Sequence, residues 1–130
     1  MKKENIENTL KILSETYPDA KCALNFNSPY ELLISTILSA QCTDVRVNVV
    51  TEELYKEYNT PERIISLTEE ELGEKIRSCG FYRNKSKNIL GATRAIIEEH
   101  NGEVPNTMEK LIKLPGVGRK TANVVLSNAF

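Results

Sequence analysis

The architecture of this chain can be read from one segment, Leu114-Pro115-Gly116-Val117-Gly118-Arg119-Lys120-Thr121-Ala122. Thr107 is a helix-capping residue and predicts a short helix that runs up to Leu114. After the segment, apolar residues within 120–130 predict a second, buried helix. Residues 107–130 are therefore predicted to form two helices joined by a tight, glycine-containing hairpin.

The hairpin carries the features of a phosphate-binding turn. Gly116 and Gly118 can adopt positive φ and leave no side chain between the backbone and a ligand. Backbone N–H groups at the start of the second helix, at the positive end of its dipole, suit a phosphate oxygen. Such contacts position a DNA duplex without reading its sequence. A plain helix–helix corner that needs two glycines is the alternative, but the complete segment between two apolar helices favours phosphate binding.

Charge supports a local rather than a global interaction with nucleic acid. The chain has 130 residues and a formal net charge of −1, which excludes a protein that coats nucleic acid through overall positive charge. Pro115 stiffens the turn, and positive charge next to it comes from Lys110, Lys113, Arg119 and Lys120. We therefore expect few phosphate contacts and a shallow dependence of binding on salt.

Helix signals also recur before the hairpin. Residues 1–20 carry apolar residues at helical spacing, and helix starts are predicted at Ser28-Pro29, Thr43, Thr60-Pro61 and Thr68. The helix opened by Thr68 is expected to end at Gly80, and a long helix should run from about Asn84 to His100. No segment alternates with period two for long enough to predict a strand. The fold class predicted is all-α, a single domain over 1–130 in the form of a helical bundle or barrel with seven or eight helices.

The composition predicts the cellular compartment of the protein. No apolar run reaches the ~18 residues of a membrane span, and the first residues do not form a secretory signal. A cytoplasmic protein, in a bacterium associated with the nucleoid, and no membrane partner are therefore predicted. Cys22, Cys42 and Cys79 are not arranged as a CxxC pair, which predicts reduced, buried thiols and no metal site.

Three segments resemble one family of enzymes. LPGVGRKTANVVL at 114–126, ELLISTILSAQCTD at 31–44 and HNGEVP at 100–105 are similar to the endonuclease III family, bifunctional glycosylases and abasic-site lyases of the helix-hairpin-helix DNA repair superfamily. The resemblance runs through essentially the whole chain. It implies base-excision repair of oxidised pyrimidines in duplex DNA, with the damaged nucleotide flipped out of the stack. A non-catalytic helix-hairpin-helix DNA-binding module is the alternative function.

The resemblance gives Lys120 the role of nucleophile. The matching lysine attacks the sugar C1′ and releases the base, and the resulting Schiff base allows β-elimination 3′ to the lesion. This chemistry needs a neutral amine, so the site must disfavour the ammonium form. A phosphate clamp is the alternative role for Lys120. The related adenine-specific glycosylase has no lysine here, and its catalytic glutamate would fall near Ser35, so Lys120 favours the lyase branch.

Other DNA contacts are carried over position by position. Gln41 matches the residue that fills the gap left by the flipped nucleotide, although an amide that caps a helix is the alternative. Phe81 matches an apolar wedge, usually leucine, with core packing as its alternative. Ser39 and Asp44 match the pocket, although Asp44 can also be an N-terminal helix charge. The hairpin residues that complete the predicted DNA contacts are Pro115, Gly116, Val117, Gly118 and Arg119.

Other basic residues have either a DNA contact or a simpler role as their predicted function. Arg83, Lys85 and Lys87 follow the DNA backbone or form a solvated helix face. His100 is expected to end its helix rather than to act in catalysis.

The resemblance also implies parts that fall outside this chain. A catalytic aspartate and four cysteines that hold a [4Fe–4S] cluster are expected beyond Phe130, so the chain matches the N-terminal part of the family, truncated at its C-terminus and without a cofactor. We accordingly expect little or no glycosylase activity from these 130 residues, with a weak Lys120-dependent reaction at abasic sites. In the family, the helix over 1–20 packs on the cluster region, so an exposed apolar surface and self-association are expected.

Overall fold

The computed structural model describes residues 23–130, so the predicted helix over 1–20 and Cys22 lie outside the described residues. All regular secondary structure of the described chain is helical, with no strand, which confirms the all-α fold class. Its α-helices are, in order, α1 (Pro29–Leu38), α2 (Asp44–Leu54), α3 (Pro61–Ile64), α4 (Glu69–Lys75), α5 (Tyr82–Glu99), α6 (Met108–Leu111) and α7 (Arg119–Ala129). A 3₁₀ turn, Arg77–Cys79, separates α4 from α5.

Hydroxyl caps start most of these helices. The side chain of each capping residue accepts the N–H three residues later, at 3.1–3.3 Å, and the caps are Ser28, Thr43, Thr60, Thr68 and Thr107. Thr68 and Glu71 form a complete capping box. At Ser28 the reciprocal bond is displaced by one residue, because Glu31 accepts the N–H of Asn27 at 2.9 Å. The helix starts predicted at these five capping residues are confirmed.

The segment between α4 and α5 differs from the prediction. The helix opened by Thr68 ends at Lys75, not at Gly80, because Ile76 leaves helical geometry at φ −109 and ψ 12. The side chain of Ile76 is fully buried, and the chain then tightens into the 3₁₀ turn before Gly80. Helix α5 also begins earlier than predicted, directly after Phe81.

The core is built around α1. Every residue from Tyr30 to Leu38 is buried, and α1 packs against α2, α5 and α7. Two hydroxyl pairs accompany it: Tyr30 with Thr93, buried, at 2.7 Å, and Ser35 with Tyr55, partly buried, at 2.7 Å. Helix α5 packs on α3 and α4. This arrangement leaves the hairpin between α6 and α7 at the surface, backed by α5.

None of the helices within residues 23–130 is both long enough and apolar enough to cross a membrane.

Candidate nucleic-acid interface

The hairpin is anchored by two apolar side chains and exposes the residues between them. Leu114 and Val117 are buried, at 4% and 6% exposure, and the Val117 N–H donates to the Leu114 carbonyl at 3.1 Å. Pro115, Gly116 and Gly118 are exposed. The side chain of Val117 is therefore packed in the core, and its N–H bonds within the turn. Pro115, Gly116 and Gly118 form the exposed surface of the hairpin.

Helix α5 packs against the hairpin at two positions. Gly116 has φ +77, and a Cβ added there would lie 2.8 Å from Asn88 Cβ. A Cβ added to Gly91 would lie 3.1 Å from the Pro115 ring. Asn88 and Gly91 were not identified from the sequence. A glycine in the middle of a helix, where it costs stability, was the available signal.

The N-terminus of α7 has no side-chain cap. Gly118 is its N-cap and has no side chain to cap the helix, unlike the hydroxyl-capped starts of α1, α2, α3, α4 and α6. The first N–H groups of any helix lack an acceptor within the helix, and no other described backbone carbonyl accepts those of Arg119, Lys120 or Thr121. A Cβ at Gly118 would meet nothing within 4 Å. These amides are therefore accessible to an anion.

Exposed positive side chains lie on both sides of the hairpin in the sequence. Arg119 and Lys120 are the first two residues of α7, and both are exposed. Lys110 and Lys113, before the hairpin, are exposed as well. An amine and an array of unpaired backbone amides thus share one surface on a chain whose net charge is −1.

Gln41 and Phe81 share an unusual backbone conformation. Both have positive φ, +56 for Gln41 and +47 for Phe81, although neither is glycine. Both are exposed, and Phe81 has 64% of its surface accessible, so it does not pack in the core. Asn101, which follows the end of α5, is the third exposed non-glycine residue with a positive φ in the described chain.

Lys85 joins the turns that carry Gln41 and Phe81. Its Nζ donates to the carbonyl of Leu38, at the end of α1, at 2.8 Å and to that of Cys79 at 3.0 Å. Lys85 is only 5% exposed, and burial lowers its pKa. Both predictions made for Lys85, a DNA backbone contact and a solvated face, are therefore wrong. The ammonium holds two turns together from inside.

The two residues predicted to line the pocket both form hydrogen bonds with backbone groups. Ser39 Oγ donates to the Thr36 carbonyl at 2.7 Å, beyond the end of α1. Asp44 is the first residue of α2, and its Oδ2 accepts the N–H of Ala23 at 3.2 Å. Ser35 is fully buried, and its hydroxyl is paired with Tyr55.

The surface next to Phe81 combines cations with an aromatic ring. The guanidinium groups of Arg77 and Arg83 lie 5.8 and 5.5 Å from the centre of the Tyr82 ring. Arg83 and Lys87 are exposed, in contrast to Lys85. His100 directly follows α5, and its N–H donates to the Ile96 carbonyl at 3.0 Å.

The described residues do not fit an iron–sulfur cluster. Cys42 and Cys79 are free thiols, and no group of three or more His, Cys, Asp or Glu within residues 23–130 could hold a metal ion. Such a cluster needs four cysteine ligands. No step of the chemistry proposed for this chain runs through it.

Comparison with known proteins gives the class to which this fold and surface belong. Residues 34–126 match the model of the HhH-GPD superfamily base excision DNA repair proteins, and the chain belongs to that family. Its curated relatives include endonuclease III of Synechocystis sp., 53% identical over 99% of this chain, and of Bacillus subtilis, 49% identical over 98%. The resemblance predicted from the sequence is confirmed. The chain spans 59% and 58% of the length of these two relatives.

Solved structures with the same fold include DNA complexes. A non-covalent endonuclease III–DNA complex superposes with a TM-score of 0.83 at 55% identity, and covers 87% of this chain and 53% of its own. A trapped endonuclease III–DNA covalent intermediate with an estranged adenine gives the same values. A thermostable thymine-DNA glycosylase is more distant, with a TM-score of 0.76 and 27% identity.

Proposed function

We propose that this chain supplies the DNA-binding hairpin and the amine nucleophile of a base-excision DNA glycosylase with abasic-site lyase activity on oxidised pyrimidines in duplex DNA. One observation carries the proposal: Lys120 is exposed at the second residue of α7, beside an uncapped helix start with accessible amides. A phosphate held at those amides brings the neighbouring sugar of the same strand towards the lysine. The partner would be double-stranded DNA that contains damaged bases or abasic sites, in the nucleoid.

The chemistry follows from an amine and an aldehyde. The neutral Nζ of Lys120 adds to C1′ of the open-chain abasic sugar, and loss of water gives a Schiff base. The cationic imine then acidifies the protons at C2′, so the 3′ phosphate leaves by β-elimination. The C2′ proton passes to a solvent water molecule, since the side chain of Asp44 already accepts the Ala23 N–H.

Gln41 and Phe81 are exposed, as side chains that insert into a DNA duplex must be. Both residues project from turns held together by Lys85, one at the end of α1 and one before α5. We propose that Gln41 occupies the gap left by the extruded nucleotide and that Phe81 stacks in the opposite strand. An aromatic ring in place of the family's usual leucine retains the apolar wedge and adds a surface for base stacking.

The test is reduction with borohydride in the presence of a duplex that carries one abasic site. Only an amine that forms a Schiff base is trapped as a covalent adduct, so we expect an adduct with the unmodified chain and none with Lys120→Ala or Lys120→Arg. Lys120→Arg is the decisive variant, because it keeps the positive charge of a phosphate clamp but cannot form the imine. Lys113→Ala is the matched control, which removes an exposed charge next to the hairpin and should still be trapped.

The outcome separates the two functions. Binding to the abasic duplex without an adduct would identify the chain as a non-catalytic helix-hairpin-helix module. An adduct that persists in Lys120→Arg would place the nucleophile elsewhere.

A further inference from the structure

Two thiols lie together behind the turns that carry Gln41 and Phe81. The 3₁₀ turn that ends at Cys79 packs against α2, which begins two residues after Cys42. The Nζ of Lys85 bonds the carbonyl of Cys79, and the two thiols and the Lys85 ammonium are close enough to influence one another electrostatically. Cys79 is 2% exposed, whereas Cys42 is partly exposed. One thiol of the pair is therefore open to a small solute, and the other is sheltered beside it.

The positions of the thiols couple them to the candidate DNA interface. Cys42 directly follows Gln41, and Cys79 precedes Phe81 by Gly80 alone. The same segments are already joined by Lys85, which bonds the carbonyls of Leu38 and Cys79. A disulfide between Cys42 and Cys79 would therefore connect Gln41 and Phe81, which are both exposed and have positive φ, through only a few residues.

We propose that hydrogen peroxide converts Cys42 and Cys79 into a reversible disulfide that cross-links the turn of Gln41 to the turn of Phe81. The oxidation has two steps. The sulfur of Cys42 attacks one peroxide oxygen and breaks the O–O bond, which gives a sulfenic acid and water. The sulfur of Cys79 then attacks the Cys42 sulfur, and the hydroxyl group leaves as water with the proton of Cys79. Two thiols and one peroxide thus become one disulfide and two water molecules.

The order of the steps follows from the surroundings of the thiols. Burial, followed by the neighbouring Cys42, raises the pKa of Cys79 to about 11, while Lys85 and Arg46 act in the opposite direction. Cys79 is therefore protonated at neutral pH and shielded from solvent, so the peroxide reacts at Cys42 first. Once Cys42 is a sulfenic acid, Cys79 is the thiol already beside it.

The consequence for DNA binding rests on the function proposed above. A disulfide holds the two sulfurs at about 2.05 Å and so restricts movement of the two turns relative to each other. Gln41 and Phe81 then cannot adjust their separation as they enter the duplex. We expect the oxidised protein to bind an abasic duplex more weakly, by roughly fivefold.

The cross-link itself is tested by peptide mapping of the full chain after treatment with peroxide. Residues 22–46 form one tryptic peptide that contains both Cys22 and Cys42, so the experiment uses Cys22→Ser. In that variant we expect the peptide 22–46 to be joined to Ser78–Arg83, and dithiothreitol to separate them. In Cys79→Ala, Cys42 should instead proceed to the sulfinic acid, and in Cys42→Ser no link should form.

Each result decides one part of the proposal. Unlinked peptides in Cys22→Ser, or Cys42 found only as sulfinic acid there, would overturn the disulfide. A disulfide that leaves affinity for the abasic duplex unchanged would overturn the coupling between the two turns. The mapping requires no DNA, so failure of the repair function would not be mistaken for failure of the cross-link.

Discussion

Asn88 in the middle of α5 lies directly against Gly116 of the hairpin, so close that a Cβ at Gly116 would stand 2.8 Å from Asn88 Cβ. Gly116 also has φ +77, a conformation that side chains disfavour. Gly118 contrasts with it, since its φ is −98 and the space around it is open. The two glycines of the hairpin therefore have different functions: Gly116 shapes the turn, and Gly118 keeps the helix start accessible.

This difference predicts opposite effects of alanine at the two positions. Gly116→Ala should lower the free energy of unfolding by about 2 kcal/mol, through backbone strain and displacement of Asn88. Gly118→Ala should change it by less than about 0.5 kcal/mol, yet weaken binding to an abasic duplex about tenfold by placing a methyl group over the amides. Urea unfolding and fluorescence anisotropy measure the two effects. Equal losses of stability in both variants would contradict this division.

Lys85 is expected to stabilise the fold rather than to contact DNA directly. Lys85→Met retains most of the aliphatic stem but leaves the carbonyls of Leu38 and Cys79 without their donor, which should cost about 2 kcal/mol of unfolding free energy. Lys87→Met is the matched control on the exposed face of α5 and should cost less than about 0.5 kcal/mol. Thermal unfolding of the two variants gives the comparison. A harmless Lys85→Met substitution would mean that the buried bonds add no net stability.

At Phe81 we expect the backbone strain to lower stability and the exposed ring to strengthen DNA binding. Because its φ is +47 and its ring is 64% exposed, Phe81→Gly is expected to be more stable than Phe81→Ala by about 1 kcal/mol. Both variants should bind the abasic duplex more weakly than the unmodified chain, since both lack the wedge. Unfolding and binding measured on the same preparations test this. Greater stability of the alanine variant would refute strain at this position.

Two tyrosines packed in or against the core predict how stability changes at alkaline pH. Burial is the main cause that raises the pKa of Tyr30 and of Tyr55 far above 10, so both stay protonated in the folded state. Above about pH 10 the unfolded chain releases these protons and the folded chain does not, so the free energy of unfolding falls as pH rises, by up to about 1.4 kcal/mol per pH unit for each tyrosine. Tyr55→Phe should be less stable at pH 7, having lost its bonds to Ser35 and Glu31, but should show a shallower alkaline decline.

Urea unfolding between pH 9 and pH 11.5 measures this slope. The difference between the curves of Tyr55→Phe and the unmodified protein isolates the contribution of Tyr55 from other titrating groups. Tyr58→Phe removes a hydroxyl from a partly exposed ring and serves as the control. Parallel alkaline curves for Tyr55→Phe and the unmodified protein would show that Tyr55 ionises equally in both states.

Local signals in the chain were sufficient to predict most helix starts and the hairpin. Ser28, Thr43, Thr60, Thr68 and Thr107 cap helices through bonds that span three residues, so the information is contained in neighbouring positions. The paired glycines and Lys120 could likewise be recognised, because the turn and the start of α7 are contiguous in sequence. The early end of α4 at Lys75 was not predicted, since the buried position of Ile76 is a property of the whole core.

Tertiary packing alone decided which side chains are buried and which remain free. Arg83, Lys85 and Lys87 look alike in the sequence, yet Lys85 turns inward, where it bonds the carbonyl of Leu38, far away in the chain, as well as that of Cys79. The support of Gly116 by Asn88 and the packing of α2 on the 3₁₀ turn of Cys79 each join segments far apart in the chain. Short-range patterns specify a helix and its cap, whereas contacts between remote segments depend on how the helices pack.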